Sequence, residues 1–137
     1  MKFSIIVPVY NRPDEVDELL KSLTEQSYHD FEVVIVEDGS QKDCKSICDS
    51  YSSLLDLKYF MKQNSGPGQS RNDGAERAQG EYLLILDSDV VLPTGYMQAV
   101  TDELERQPAD AFGGPDNAHP SFTDTQPAIS YSLASFF

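Results

Sequence analysis

Asp87-Ser88-Asp89 closes the apolar run Tyr82-Leu83-Leu84-Ile85-Leu86, and Val90-Val91-Leu92 follow it. A buried carboxylate is costly unless a positive group or a donor meets it. Two carboxylates one residue apart repel each other, and a hard divalent cation with oxygen ligands relieves that repulsion. The pair therefore points to a ligand that is cationic or that brings a cation.

Three other stretches place polar residues directly after apolar ones. Tyr10-Asn11-Arg12 follows Phe3–Val9, and Glu37-Asp38-Gly39-Ser40 follows Phe31–Val36. Asn64-Ser65-Gly66-Pro67-Gly68 follows 57–63, with Arg71 a few residues on. Each has a plain structural reading. Asp38 can be a turn or helix-cap residue, Gly66-Pro67-Gly68 a tight loop, and Arg71 a solvated helix charge. Their value lies in coincidence, because all four stretches fall at the ends of predicted strands.

Strands are predicted at 3–9, 31–36, 57–63, 81–87 and 109–115, as short apolar runs rich in β-branched residues. Helices are predicted between them, at about 13–27, 41–53, 69–79 and 93–107. The first opens on Pro13-Asp14-Glu15, suitable first-turn chemistry, and carries Val16, Leu19, Leu20 and Leu23 at helical spacing. Gly74 interrupts the third helix, and Gly80 suits its carboxyl end. Strands alternating with helices indicate βαβ units and a mostly parallel sheet flanked by helices, an α/β fold. In such a sheet ligands bind outside the carboxyl ends of the strands, where the four polar stretches converge. Neither a Walker A sequence nor a G-x-G-x-x-G after the first strand is present. A diphosphate bound here would need a metal to neutralise it.

The chain has 137 residues, 39% hydrophobic and 24% charged, with a formal net charge of −13. Its length suits one ordinary domain, and its composition suits a soluble one. The acidic balance excludes the basic footprint of a nucleic-acid binder and disfavours an anionic membrane surface. No run of about 18 apolar residues exists, and the amino terminus lacks signal-peptide anatomy. The reading is a cytoplasmic protein. Cys44 and Cys48 lie four apart without a His or Cys cluster beside them, which favours two reduced, half-buried thiols over half a metal site.

These motifs, in this order, resemble family 2 glycosyltransferases of the GT-A fold. The resemblance rests on SIIVPVYNRPDEVDELLKSLTEQSYHDFEVVIVEDGS and GPGQSRNDGAERAQGEYLLILDSD, and runs over residues 3 to 115. It implies a Rossmann-like GT-A core at 1–115 that binds a UDP- or GDP-linked sugar with a divalent metal, Mn2+ or Mg2+. By position it implies that Pro8, Val9 and Tyr10 line the base and ribose pocket. Asp38 would accept from the base, with Glu37 beside it. Gly66, Gly68 and Arg71 would approach the nucleotide from the third loop. Asp87-Ser88-Asp89 matches the family's D-x-D motif, with Asp87 toward ribose or metal and Asp89 on the metal. The implied role is inverting transfer to a glycan, lipid-linked or other acceptor in cell-envelope polysaccharide synthesis, with the full protein at the inner face of a membrane.

Two features qualify that expectation. Inverting relatives carry an Asp or Glu base further along the chain, and residues 116–137 hold no matching acidic pair; Asp116, Asp124 and His119 are the available groups. The base is therefore expected beyond Phe137, with this chain as the donor-binding half, inactive alone. The apolar AISYSLASFF that ends it is expected to seek a partner, such as a second copy. Two alternatives compete. One is a sugar-nucleotide-binding module that does no chemistry. The other is a haloacid-dehalogenase-type phosphatase, whose opening motif LLILDSDVVL also fits and whose first Asp is a nucleophile. That motif normally opens its domain, whereas here three predicted strands precede it.

Overall fold

A computed structural model describes residues 2–106. The predicted strand at 109–115, the apolar carboxyl-terminal segment, and Asp116, His119 and Asp124 lie outside the described residues. Four strands and four helices alternate along the chain. They are β1 Phe3–Val9, α1 Pro13–Thr24, β2 Phe31–Asp38, α2 Lys45–Tyr51, β3 Leu57–Lys62, α3 Pro67–Arg77, β4 Tyr82–Ile85 and α4 Tyr96–Arg106. The sheet order is β3-β2-β1-β4, with every pairing parallel. The chain thus crosses over after β3 from one edge of this sheet to the other, beside β1.

Strand alternation sorts the core onto two faces. Phe3, Ile5, Val7 and Val9 of β1, with Val33 and Ile35 of β2, pack with Leu19, Leu20, Leu23, Met97, Val100 and Leu104 from α1 and α4. Ile6, Val34 and Val36 face the other way, among Phe60, Ala78 and Ile85. Burying a side chain of this size stabilises the fold by about 1.5–3 kcal/mol, so truncating Leu20 to Ala removes about 2–5 kcal/mol.

Gly74 explains the break in the predicted helix. A Cβ there would meet Ile6 Cγ2 at 2.4 Å, so α3 lies against the sheet at a distance only glycine allows. Gly80 does not cap α3 as expected; Ala78 does. Gly80 lies instead where the chain crosses β1, and a Cβ would stand 2.6 Å from the Phe3 carbonyl carbon.

One buried carboxylate ties the amino ends of these elements together. Glu32 accepts from Ser4 Oγ at 2.5 Å and from the Gln79 N–H at 2.6 Å, and pairs with Lys58 Nζ at 2.8 Å. Ser4 Oγ in turn accepts from the Gly80 N–H at 2.8 Å. Burial alone would raise the Glu32 carboxyl, but Lys58 and the Ser4 and Gln79 donors outweigh it and hold it below its ordinary range.

Candidate functional site

The carboxyl ends of the strands form one rim, and the loops there are locked to one another. Asn11 adopts φ 53°, the left-handed region that Asn tolerates better than most residues. In that conformation its Oδ1 accepts from the Gln41 and Lys42 N–H groups at 2.8 and 3.0 Å. Its own N–H donates to Ser40 Oγ at 2.8 Å. The β1–α1 turn is thereby fastened to the β2–α2 loop, and Tyr10 is left 52% exposed at the rim.

Glu37 and Asp38, neighbours on β2, point to opposite faces and do different work. Glu37 is fully buried. It accepts from Ser40 Oγ at 2.5 Å, the Cys44 N–H at 2.8 Å, Tyr59 Oη at 3.0 Å and Cys44 Sγ at 3.2 Å. These donors leave it facing inward, away from the rim cavity. The Cys48 thiol, burial and the Glu37 carboxylate all push the Cys44 thiol upward, so it stays protonated. Cys44 and Cys48 are free and buried, with sulfurs 3.8 Å apart. Burial and Glu37 likewise push the Tyr59 phenol upward.

Asp38 faces the β3–α3 loop. Its Oδ1 accepts from Lys62 Nζ at 2.5 Å and the Ser65 N–H at 2.8 Å. Its Oδ2 accepts from the Gly66 N–H at 3.0 Å and Asn64 Nδ2 at 3.4 Å. Burial opposes ionisation, but Lys62 and the two backbone amides outweigh it, so the carboxyl is held below its ordinary range. Gly66 takes φ 99°, a conformation that strains any other residue, and so turns its N–H onto Asp38. Both carboxylate oxygens are thus already doubly engaged. A ligand donor reaching Asp38 must share or displace one of these partners, and the Asn64 Nδ2 contact, the longest of the four, is the weakest.

Beside Asp38 lies a cavity of about 340 Å³, lined by Pro8, Val9, Tyr10, Asp38, Asn64, Gly66, Pro67 and Ser70. Five of these are residues the sequence pointed to. Asn64, Pro67 and Ser70 were not singled out, although Asn64 and Pro67 lie within the Asn-Ser-Gly-Pro-Gly stretch. Ser70, one helical turn after Gly66, donates to the Gly66 carbonyl at 3.0 Å. Lys62 was also missed; it meets Asp38 only through the β2–β3 register, and no neighbouring acid in the sequence marks it. Gly68 and Arg71, on the first turns of α3, do not line this cavity.

Asp87-Ser88-Asp89 forms a turn just past β4, closed by the Val90 N–H on the Asp87 carbonyl at 3.2 Å. It does not line the cavity either. Asp87 and Asp89 are exposed, and Ser88 Oγ donates to Glu15 Oε1 at 3.0 Å. Among the described residues no group of three His, Cys, Asp or Glu side chains could hold a metal ion. Two exposed carboxylates do fit a hard divalent cation that keeps water and phosphate oxygens for its other positions, rather than a closed protein cage.

A family model described as "Glycosyl transferase family 2" matches residues 4–133. This chain belongs to that family. A GalNAc(5)-diNAcBac-PP-undecaprenol beta-1,3-glucosyltransferase of Campylobacter jejuni is 33% identical over 115 residues, 82% of this chain and 37% of the relative. The poly(ribitol-phosphate) beta-N-acetylglucosaminyltransferase TarS of Staphylococcus aureus is 44% identical over 93 residues, 65% of this chain and 16% of the relative. TarS 1–349, solved in complex with UDP-GlcNAc, superposes with a TM-score of 0.78 at 36% identity, covering 82% of this chain and 34% of that one. The mannosyltransferase PcManGT of Pyrobaculum calidifontis shares the fold, with a TM-score of 0.70 at 24% identity over 82% of this chain and 34% of that one. The fold is GT-A, and the chain spans little more than a third of the Campylobacter relative's length. The family match includes the Asp87–Asp89 stretch, and the phosphatase reading of that stretch falls with it. No helix among the described residues is long and apolar enough to cross a membrane.

Proposed function

We propose that this chain forms the donor-binding part of an inverting, metal-assisted glycosyltransferase that takes its sugar from a nucleoside-diphosphate sugar. The observation that carries the reading is the cavity at the strand ends, with Asp38 on its wall and the Asp87–Asp89 turn on the same rim. Pro8, Val9 and Tyr10 offer an apolar floor to a base and ribose. Asp38 offers the acceptor a base N–H needs, and Gly66 keeps the loop on it. Glu37 holds the loop from inside the core rather than touching the nucleotide.

Asp87 and Asp89 would hold Mn2+ or Mg2+ against the diphosphate. Such a cation offsets the negative charge that builds on the departing nucleoside diphosphate. Arg71 approaches the base end of the donor from α3, with Gly68 on the same first turns. The acceptor is a glycan or lipid-linked glycan, met at the cytoplasmic side of a membrane; the undecaprenol-linked substrate named for the Campylobacter relative supports this class. The acceptor's base is an Asp or Glu of the acceptor-side region, acting opposite the leaving group as in inverting hydrolases. On this reading the 137-residue chain binds donor and turns over no sugar. TarS, solved with UDP and UDP-GlcNAc, favours a uridine donor over a guanosine one.

The test is calorimetric titration of UDP and GDP in Mn2+ and in EDTA. The expected result is UDP binding that strengthens in Mn2+ and exceeds GDP binding. Equal affinity in the two conditions defeats the metal, and no binding of either nucleotide defeats the donor site.

A further inference from the structure

The segment between β4 and α4 carries the two aspartates and has no regular structure of its own. It is held from outside, by one stripe of side chains on α1 and just past its end. Ser88 Oγ donates to Glu15 Oε1 at 3.0 Å. The Leu92 N–H donates to Ser22 Oγ at 3.1 Å. Gln26 Nε2 donates to the Pro93 carbonyl at 2.7 Å, and Gln26 Oε1 accepts the Met97 N–H at 2.9 Å. Positions 15 and 22 are seven apart and so share one face of α1, and Gln26 follows just past its end.

The three contacts are not equivalent. Ser22 and Gln26 are buried and satisfy main-chain groups, which any ordered loop must have satisfied. Glu15 is half-buried, on the first turn of α1, and reaches a side chain instead of a backbone group. That side chain belongs to the residue between the two aspartates. Arg12 Nε, 3.7 Å from the same Glu15 oxygen, helps to hold the carboxylate. Buried anchors fix the later part of the segment, and Glu15 fixes the turn itself.

We infer that Glu15 is a positioning residue for the Asp87–Asp89 pair. By gripping Ser88 it sets the direction in which the two carboxylates meet a divalent cation bound with a nucleoside diphosphate. This rests on the metal-dependent donor binding proposed above. It also joins the two halves of the site, since Arg12 and Glu15 follow directly from the turn that carries Tyr10.

The experiment measures UDP affinity in Mn2+ and in EDTA for the full 137-residue chain and for Glu15→Ala, Glu15→Gln, Ser88→Ala and the Glu15→Ala/Ser88→Ala double variant. The ratio of the two affinities isolates the metal-dependent part. Loss of a hydrogen bond to a charged acceptor predicts that Glu15→Ala and Ser88→Ala each lower the ratio about tenfold. The double variant lowers it no further than either single one, because both remove the same hydrogen bond. Glu15→Gln, which keeps an acceptor oxygen, restores most of the ratio. The inference is overturned if Glu15→Ala keeps the parent's ratio, if Glu15→Gln falls as far as Glu15→Ala, or if the double variant loses the product of both. It is overturned too if affinity falls equally in Mn2+ and EDTA with a lowered melting temperature, which marks a structural role only. A parent whose ratio is one defeats the metal reading itself, a separate failure.

Discussion

Asp38 and Glu37 show how much depends on which face of a strand a side chain takes. Both are acids at the end of β2, and the sequence offered both as nucleotide contacts. Period-two alternation sends Glu37 into Ser40, Cys44 and Tyr59, and Asp38 toward the β3–α3 loop. Replacing Asp38 by Ala is expected to weaken UDP binding in Mn2+ and in EDTA alike, because the role proposed for this carboxylate is toward the base and not the phosphates. A buried polar partner left unpaired costs about 1–3 kcal/mol, a rise in Kd of roughly 5- to 150-fold. Parent-like titration curves would reduce Asp38 to a loop anchor. Residues such as Asp38 were legible because acids, glycines and a proline crowd at strand ends. Lys62 and Ser70 were not, because a lysine ending a strand and a serine on a helix look the same whether they serve a site or face solvent.

At the scale of elements, strand and helix order followed the apolar periodicity closely. The departures came where tertiary contacts overrode local signals. Residues 25–27 leave the α1 helix to grip the segment before α4, and α2 begins only at Lys45, after the loop that Asn11 holds. Gly80 read as a helix terminator because its other use, a close crossing over β1, depends on a partner about 80 residues away, which no local pattern shows. Glu32 was invisible for the same reason: its partners come from β1, β3 and the end of α3. Its depressed carboxyl makes a pH prediction with a definite sign. The stabilisation is fully present above the unfolded value, 4.5, and is lost as pH falls through the lower folded value. Glu32→Gln should therefore lower stability at pH 7 by about 1–3 kcal/mol, with Lys58 partly solvated. The gap between parent and variant should close as pH falls below that range. Denaturant unfolding at pH 7, 5 and 3 measures it; a gap that widens on acidification contradicts the Glu32 network.

The whole molecule carries a formal charge of −13 and yet is read as holding a doubly charged phosphate ligand. That calls for a metal or local donors that offset the acid excess at one place; the proposed cation between ligand and protein is such a device. The fold supplies the place by bringing β1, β2 and β4 ends to one rim, while α1 braces the turn that offers the carboxylates. Amide NMR of the 15N-labelled chain with UDP and substoichiometric Mn2+ tests this most directly, because paramagnetic broadening locates the metal and shift changes locate the base. The expected result is broadening centred on residues 87–91 that sharpens in definition when UDP is added, with shift changes at Val9–Asn11 and Asn64–Ser70. Broadening spread over the exposed acids of α1 and α2 and indifferent to UDP would contradict a single metal-bridged donor site.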